Sequence, residues 1–201
     1  MKVPMSWLQA MVNLPDGTTT DKVAKALTNH TATVEKVEVV GGELTGPIVI
    51  GHILSSVPEP QKNGKVINWC RVDVGPRYNA EGHPKNIEEG VEGRGIICGA
   101  PNAVEGAWVV VSLPGAVLPG GFAISARKTY GHMSDGMLCA SDELGIGVDD
   151  AGIITLPPSV EGHQLVPGED ALPILGVPEE VLDVDVTPCL LYTSDAADER
   201  S

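Results

Sequence analysis

Short stretches of alternating or continuous apolar residues run along most of the chain, and most of them have a glycine or proline at one or both ends. This pattern is typical of strands that bury one or both faces. Within 65–74, for example, Cys70 and Val72 fall on one face and Arg71 and Asp73 on the other. The pattern predicts strands over 34–40, 47–57, 65–74, 95–98, 107–113, 122–128, 153–156 and 181–186.

Helical periodicity is strongest near the N-terminus, and residues 1–30 are predicted to be largely helical. A helix is predicted over 21–29, because Val23 and Leu27 then share one face, and Thr20 is expected to be its N-cap. Further predicted features are a short helix at 141–144 capped by Ser141, a helical turn at 169–175 and a polar surface loop at 76–93.

Gly41 and Gly42 interrupt the chain and mark a predicted domain boundary at roughly 41–46. The strands that follow are short and separated by glycine corners, which favours a small closed barrel over 46–150. The alternating strand at 181–186 needs a partner that buries its apolar face, and the N-terminal segment can supply one. The sequence therefore predicts a discontinuous small α+β domain, 1–40 plus 152–188, with the barrel inserted in it.

Composition and charge narrow the possible functions. Glycine and proline together make up 40 of 201 residues, which favours turns and short strands over a helical bundle. The net charge of −14 argues against a general nucleic-acid binder. Within 46–150, eight Lys and Arg face twelve Asp and Glu, whereas within 151–201 one Arg faces ten acids. The acidic excess is therefore concentrated after the predicted barrel.

The sequence lacks an apolar run of the roughly 20 residues that span a bilayer, and it lacks a signal-peptide pattern. A cytoplasmic protein without a membrane partner is therefore predicted. None of the common catalytic motifs is present, and the five histidines are scattered singly, so no catalytic residue is predicted. The cysteines lack metal-ligand spacing, which predicts reduced, packed thiols and no metal site: Cys70, Cys98, Cys139 and Cys189.

A basic and aromatic cluster near the predicted barrel rim is the best candidate for contact with a nucleic acid. Barrels of this kind place cations on phosphates and aromatic rings under bases. The candidate nucleic-acid-binding residues are Arg127, Lys128, Tyr130 and His132, followed by Arg71 and Lys65, with Arg77 and Lys62 as further cations. Two alternatives stay open: the cluster is an ordinary exposed strand end, and Trp69 is a packing residue rather than a base-stacking one.

Three motifs occur in a fixed order: ICGAPN at 97–102, PGAVLPG at 114–120 and SDGMLCASDEL at 134–144. Together with the opening MKVPMSWL, they closely resemble the N-terminal region of the bacterial phenylalanine–tRNA synthetase beta chain. The resemblance covers about residues 1–188 and implies that the barrel is of the oligonucleotide-binding (OB) type, with five strands. The predicted fold class is therefore α+β and mostly β.

The resemblance also implies a function. The family attaches phenylalanine to tRNA with ATP and Mg²⁺, and its beta chains assemble with catalytic alpha chains, two of each, into a heterotetramer. This chain is expected to bind tRNA and to hold neither cofactor itself. Two alternatives are a stand-alone tRNA-binding or chaperone module and a protein–protein docking domain without RNA binding.

The last stretch, 189–201, departs from the family pattern and reads CLLYTSDAADERS. It is predicted to be a non-native or disordered tail, with foreign sequence joined to a truncated gene; the alternative is a natural, divergent tail. This prediction falls on residues that the structure does not describe.

Overall fold

The computed structural model describes residues 1–83, 92–148 and 151–186. The chain divides into two compact units, one formed by Met1–Gly42 with Pro178–Ser201 and the other by Glu43–Val177. In chain order the strands are β1 (Lys2–Pro4), β2 (Thr33–Val40), β3 (Ile48–Pro60), β4 (Val66–Asp73), β5 (Arg94–Cys98), β6 (Trp108–Ser112), β7 (Val117–Leu118), β8 (Phe122–Ala123), β9 (Arg127–Thr129), β10 (His132–Ser134), β11 (Met137–Leu138), β12 (Thr155–Leu156), β13 (Ser159–Val160), β14 (His163–Gln164) and β15 (Glu179–Asp185). The helices are α1 (Met5–Met11), α2 (Thr20–His30), α3 (Gly75–Ala80) and α4 (Ala171–Ile174).

The smaller unit is a three-stranded antiparallel sheet, in the order β1–β15–β2, packed against α1 and α2. The predicted pairing between the strands near 34–40 and 181–186 is present, because β15 lies beside β2 along its whole length. Leu182 and Val184 are buried with Met5 and Val23, as the alternating pattern requires. The cap of α2 is Thr19 rather than Thr20, because the Thr20 hydroxyl donates instead to Glu180.

Charged side chains of the same unit form a cluster around Glu38. Lys2 and Lys36 both donate to its carboxylate, and hydrogen bonding to Lys2 and then to Lys36 lowers the pKa of Glu38 to about 2. Because the pKa of Glu38 is lower in the folded chain than in the unfolded one, its carboxylate stabilises the fold at pH values above about 4.5. This stabilisation is lost as the pH falls towards 2. Acid should therefore destabilise the smaller unit across this window.

An NMR titration of the Glu38 carboxyl carbon tests this pairing. We expect a midpoint near pH 2 in the unaltered chain and a midpoint closer to 4.5 in Lys2→Ala. Lys25→Ala, an exposed lysine of α2, serves as the control and should leave the midpoint unchanged. A midpoint near 4.5 in the unaltered chain would show that the lysines do not hold the carboxylate.

The larger unit is built on one antiparallel sheet in the order β11–β6–β3–β4–β5, with β12 also paired to β6. The sheet nearly closes, because the Asp135 amide after β10 donates to the Gly95 carbonyl of β5 at 2.9 Å. The prediction of a mostly β fold with an OB-type barrel is confirmed. Its core buries Val49, Ile53, Cys70, Val72, Val74, Ile96, Cys98, Ala103, Val109, Val111, Leu113, Leu138 and Ile153.

The predicted fifth strand at 122–128 is wrong. Phe122–Ala123 pairs with β7, whereas Arg127–Thr129 pairs with β10 in a separate hairpin. Tyr130 and Gly131 both have positive φ, at 47° and 90°, and form the two-residue connection that turns the chain back at once. The closing part of the barrel is therefore supplied by β10 and β11.

Three further expectations need correction. The second segment of the small domain starts at Pro178 rather than 152, because β12 pairs with β6 of the barrel. Turns replace the predicted helix at 141–144, and the Ala140 amide donates to the Glu143 carboxylate there at 2.8 Å. The predicted loop at 76–93 includes most of α3, and its residues 84–91 lie outside the described part of the chain. No helix in the described ranges is long and apolar enough to cross a membrane.

Candidate nucleic-acid interface

Trp69 lies on the outer face of β4 and connects two of the predicted site residues. The His132 ring stacks on it, with ring centroids 4.2 Å apart and 17° between the planes. The Arg71 guanidinium lies 5.5 Å from the centre of the Trp69 ring. Strands β4 and β5 are the second and third barrel strands, which form the ligand face of many OB folds. The fold therefore places Arg71 and His132 on that face.

Two contacts position the β9–β10 hairpin on the barrel. The His132 Nε2 atom hydrogen-bonds with the Glu59 carboxylate near the end of β3, at 2.9 Å. The Ile97 amide of β5 donates to the Ser134 hydroxyl at 3.0 Å. The hairpin is thus attached to two barrel strands, and its exposed residues have a defined place beside the Trp69 stack.

The exposed cations of the hairpin lie on β9. Arg127 and Lys128 are both exposed, and the Arg127 guanidinium lies 5.4 Å from the centre of the Phe122 ring. Among residues 1–83, 92–148 and 151–186, no acidic side chain forms an ion pair with either cation. Tyr130 is 45% exposed at the tip of the hairpin. These side chains are therefore available to a ligand.

The remaining candidates differ in exposure. Lys62 and Lys65 are exposed in the turn between β3 and β4. Lys65 lies on the turn side of the Glu59–Ile67 pair, two residues before Ile67 in the chain. Arg71 is only 9% exposed, so it packs against Trp69 rather than projecting into solvent. Arg77 of α3 forms an ion pair with Glu81 at 3.5 Å.

Sequence reasoning did not find Phe122 or Glu59. Phe122 is 46% exposed and lines a groove of about 280 Å³ together with residues of β5, β9 and the start of β11. The groove could not be read from the sequence, because its walls come from separated parts of the chain. The available signal was the single phenylalanine of the chain, which directly follows two glycines in a turn-rich stretch.

Comparison with known proteins shows which proteins this chain resembles in sequence. It is 98% identical over 192 residues to the phenylalanine–tRNA ligase beta subunit of Cutibacterium acnes, covering 96% of the chain and 23% of that protein. The beta subunits of Thermobifida fusca and Bifidobacterium longum are 50% and 44% identical over 188 and 195 residues. Those matches cover 94% and 95% of the chain and 21% and 22% of the relatives. The chain is homologous to the N-terminal region of the bacterial phenylalanine–tRNA ligase beta subunit.

The family resemblance inferred from the motifs is therefore confirmed. The chain spans about a fifth of the length of the beta subunits that it matches. No protein-family model matches it.

A buried ion pair joins β5 to the segment between β10 and β11 in this beta-subunit homologue. The guanidinium of Arg94 on β5 lies 3.4 Å from the carboxylate of Asp135, and both side chains are at most 5% exposed. Arg94 also donates from Nε to the Tyr78 carbonyl at 2.8 Å, and the His83 amide donates to Asp135 at 2.6 Å. The pair thus joins β5, the α3 region and the segment between β10 and β11.

The cysteines of the barrel are buried free thiols, as expected for Cys70, Cys98 and Cys139. Burial raises the pKa of Cys98 to about 11 and that of Cys139 to about 12, so both stay protonated at neutral pH. Cys189 lies outside the described residues. In the part of the chain that the structure describes, no three His, Cys, Asp or Glu side chains form a group that could hold a metal ion.

Proposed function

We propose that this chain contributes tRNA binding to a phenylalanine–tRNA ligase through the outer face of its barrel. The relatives carry the name of that ligase's beta subunit, which supports a role in the aminoacylation of tRNA. Assembly with alpha chains, two of each, is part of this proposal, as is a cytoplasmic location. ATP and Mg²⁺ would serve the reaction of the whole ligase rather than a site on this chain.

The observation that carries the proposal is the pair of exposed, unpaired cations beside a stacked aromatic pair. Arg127 and Lys128 have no acidic partner among the described residues, although the chain as a whole is strongly acidic. Exposed cations of this kind are suited to backbone phosphates. Lys62 and Lys65 extend the exposed positive charge along the β3–β4 turn. The exposed cations and the Trp69–His132 stack support the outer face of the barrel as the RNA-binding surface, because OB folds bind oligonucleotides on the face of their second and third strands.

The double variant Arg127→Ala/Lys128→Ala tests the proposal. It should bind tRNA more weakly than the unaltered chain and weaken binding to every RNA sequence alike, because the lost contacts are to phosphates. The slope of log affinity against log salt concentration should fall by about 2, or ~1 for each cation removed. Filter binding at several salt concentrations, from about 50 to 200 mM, measures both effects.

A matched control removes two exposed lysines from the other unit. Lys22→Ala/Lys25→Ala changes the net charge by the same amount but alters only α2, so the salt slope should stay unchanged. If the control lowered the slope as much as the hairpin variant, binding would depend on net charge and not on this face. Failure of the unaltered chain to retain tRNA at low salt would refute the proposal.

A second candidate is a docking role without RNA binding. It is favoured by the acidic composition of residues 151–201, where one Arg stands against ten acids, because acidic side chains suit a basic protein partner. A stand-alone tRNA-binding or chaperone module is less well supported, because the larger unit is accompanied by a second folded unit. Pull-down with a ligase alpha chain, run beside the tRNA assay, separates docking from RNA binding.

A further inference from the structure

An open groove lies on the barrel between two small hairpins. The β7–β8 hairpin and the segment after it form one wall, β9 forms the other, and β5 and the start of β11 form the floor. Its volume is about 280 Å³, just below the range of pockets for drug-sized ligands. The lining residues are Ile97, Phe122, Ala123, Ile124, Ser125, Arg127, Thr129, Ser134, Gly136 and Met137.

The lining combines an apolar floor with a cationic rim. Ile97, Ile124 and Met137 offer apolar surface. The Ser134 hydroxyl already accepts a hydrogen bond from the Ile97 amide and donates to the Gly136 carbonyl, so it is committed to the fold. The groove therefore offers a flat apolar partner more contact area than specific hydrogen bonds.

Phe122 and Arg127 add an aromatic face and a charge at the same place. The Phe122 ring is 46% exposed, and the Arg127 guanidinium lies 5.4 Å from its centre. Arg127 has no acidic partner in the described ranges, whereas Lys128, the next residue of β9, lies on the opposite face of the strand and does not line the groove. A ligand that fits this arrangement has a flat aromatic part next to a negative charge.

We propose that this groove accepts one unpaired nucleobase of a single-stranded RNA segment, which stacks on Phe122 while Arg127 holds the adjacent phosphate. This inference rests on the proposed RNA binding and adds the form of RNA that the face selects. A base held in a duplex is paired and stacked, so it cannot enter a groove of this size without leaving the helix. Stacking tolerates every base, so the groove selects single strands rather than a particular sequence.

Two variants of the 201-residue chain test the groove. Phe122→Ala removes the stacking ring, and Ser125→Phe places bulk at the groove wall while keeping Phe122. Each should lower the affinity for an unstructured RNA of about 12 nucleotides by roughly tenfold. Affinity for a blunt RNA duplex of equal length should stay within about twofold, because the β9 cations that contact its phosphates remain. Fluorescence anisotropy at one low salt concentration measures both affinities.

A base analogue reports on stacking directly. With 2-aminopurine in the single strand, the unaltered chain should quench the fluorescence on binding, whereas Phe122→Ala should quench it less. Trp7→Ala is the matched control, because Trp7 is an aromatic residue that is 70% exposed in the other unit. It should change neither the affinity nor the quenching.

The outcomes separate the two proposals. If the unaltered chain binds neither form of RNA, the proposed function fails and this inference fails with it. If the chain binds RNA but both variants bind single strands as tightly as the unaltered chain does, only the groove assignment is wrong. An equal loss of single-strand and duplex binding in both variants would also overturn it, because a base slot cannot affect a closed duplex.

Discussion

Replacing Asp135 by alanine is expected to lower the free energy of unfolding of the larger unit by about 3–5 kcal/mol. The carboxylate is at most 3% exposed and lies 3.4 Å from the equally enclosed Arg94 guanidinium. Without it, the buried Arg94 guanidinium loses its counter-ion, and the His83 amide loses this acceptor. The effect is large because a desolvated charge is costly when its counter-ion is removed.

Urea unfolding of the unaltered chain and the variant measures this loss. Asp142→Ala removes an exposed acid a few residues further along and should change the free energy of unfolding by no more than about 0.5 kcal/mol. The double variant Arg94→Met/Asp135→Leu removes both charges and should recover much of the stability lost in Asp135→Ala. A loss below about 1 kcal/mol in Asp135→Ala would mean that water reaches the pair.

Replacing Gly95 by alanine is the second large expected effect, and it acts on Trp69 in the proposed RNA-binding face. A Cβ atom at position 95 would lie 2.2 Å from the Trp69 ring, so the indole must move. His132 stacks on the same indole, so the shift should also disturb the β9–β10 hairpin. We expect a loss of about 1–3 kcal/mol in the free energy of unfolding from overpacking, together with weaker tRNA binding.

Gly99→Ala is a matched control at the residue that directly follows the same strand. Its added Cβ meets no atom within 4 Å, so stability and tRNA affinity should both stay close to those of the unaltered chain. The His132 ring protons report on the stack, because the Trp69 ring current shifts their NMR signals. Unchanged His132 signals in Gly95→Ala would contradict the proposed link between Gly95, Trp69 and the hairpin.

The local patterns of the sequence predicted individual strands well. Cys70 and Val72 of β4 lie in the barrel core as the alternation predicted, because each side chain's direction depends on its own backbone, although Arg71 between them is enclosed as well. The same reasoning placed Leu182 and Val184 in the core of the smaller unit. Three motifs in order also sufficed to identify the relatives that comparison then confirmed.

Features that depend on partners were harder to predict. The range 122–128 reads as one strand, but the turn at Tyr130 and Gly131 gives Arg127–Thr129 a local partner and leaves barrel closure to β10 and β11. The strand at 155–156 is too short to indicate its partner, and it joins β6 rather than the smaller unit. Thr20 could cap a helix by its type, yet Glu180, which is distant in sequence, takes its hydroxyl.

The candidate site shows the same division. Sequence alone marked His132, Arg127 and Lys128 as a basic and aromatic cluster, because they are close neighbours in the chain. It did not show that His132 stacks on Trp69 and pairs with Glu59, or that Arg71 is enclosed. Those contacts join β3, β4 and β10, which are separated by many residues.

By itself, the sequence determined the family of this chain, its mostly β character and the direction of most strand faces. These properties follow from residue order and from the two-residue repeat of an extended backbone. Only the tertiary structure decided which strand closes the barrel, which cations remain exposed and where a groove opens. Pairing and burial arise from the way distant segments pack, and no local pattern of apolar and polar residues encodes that packing uniquely.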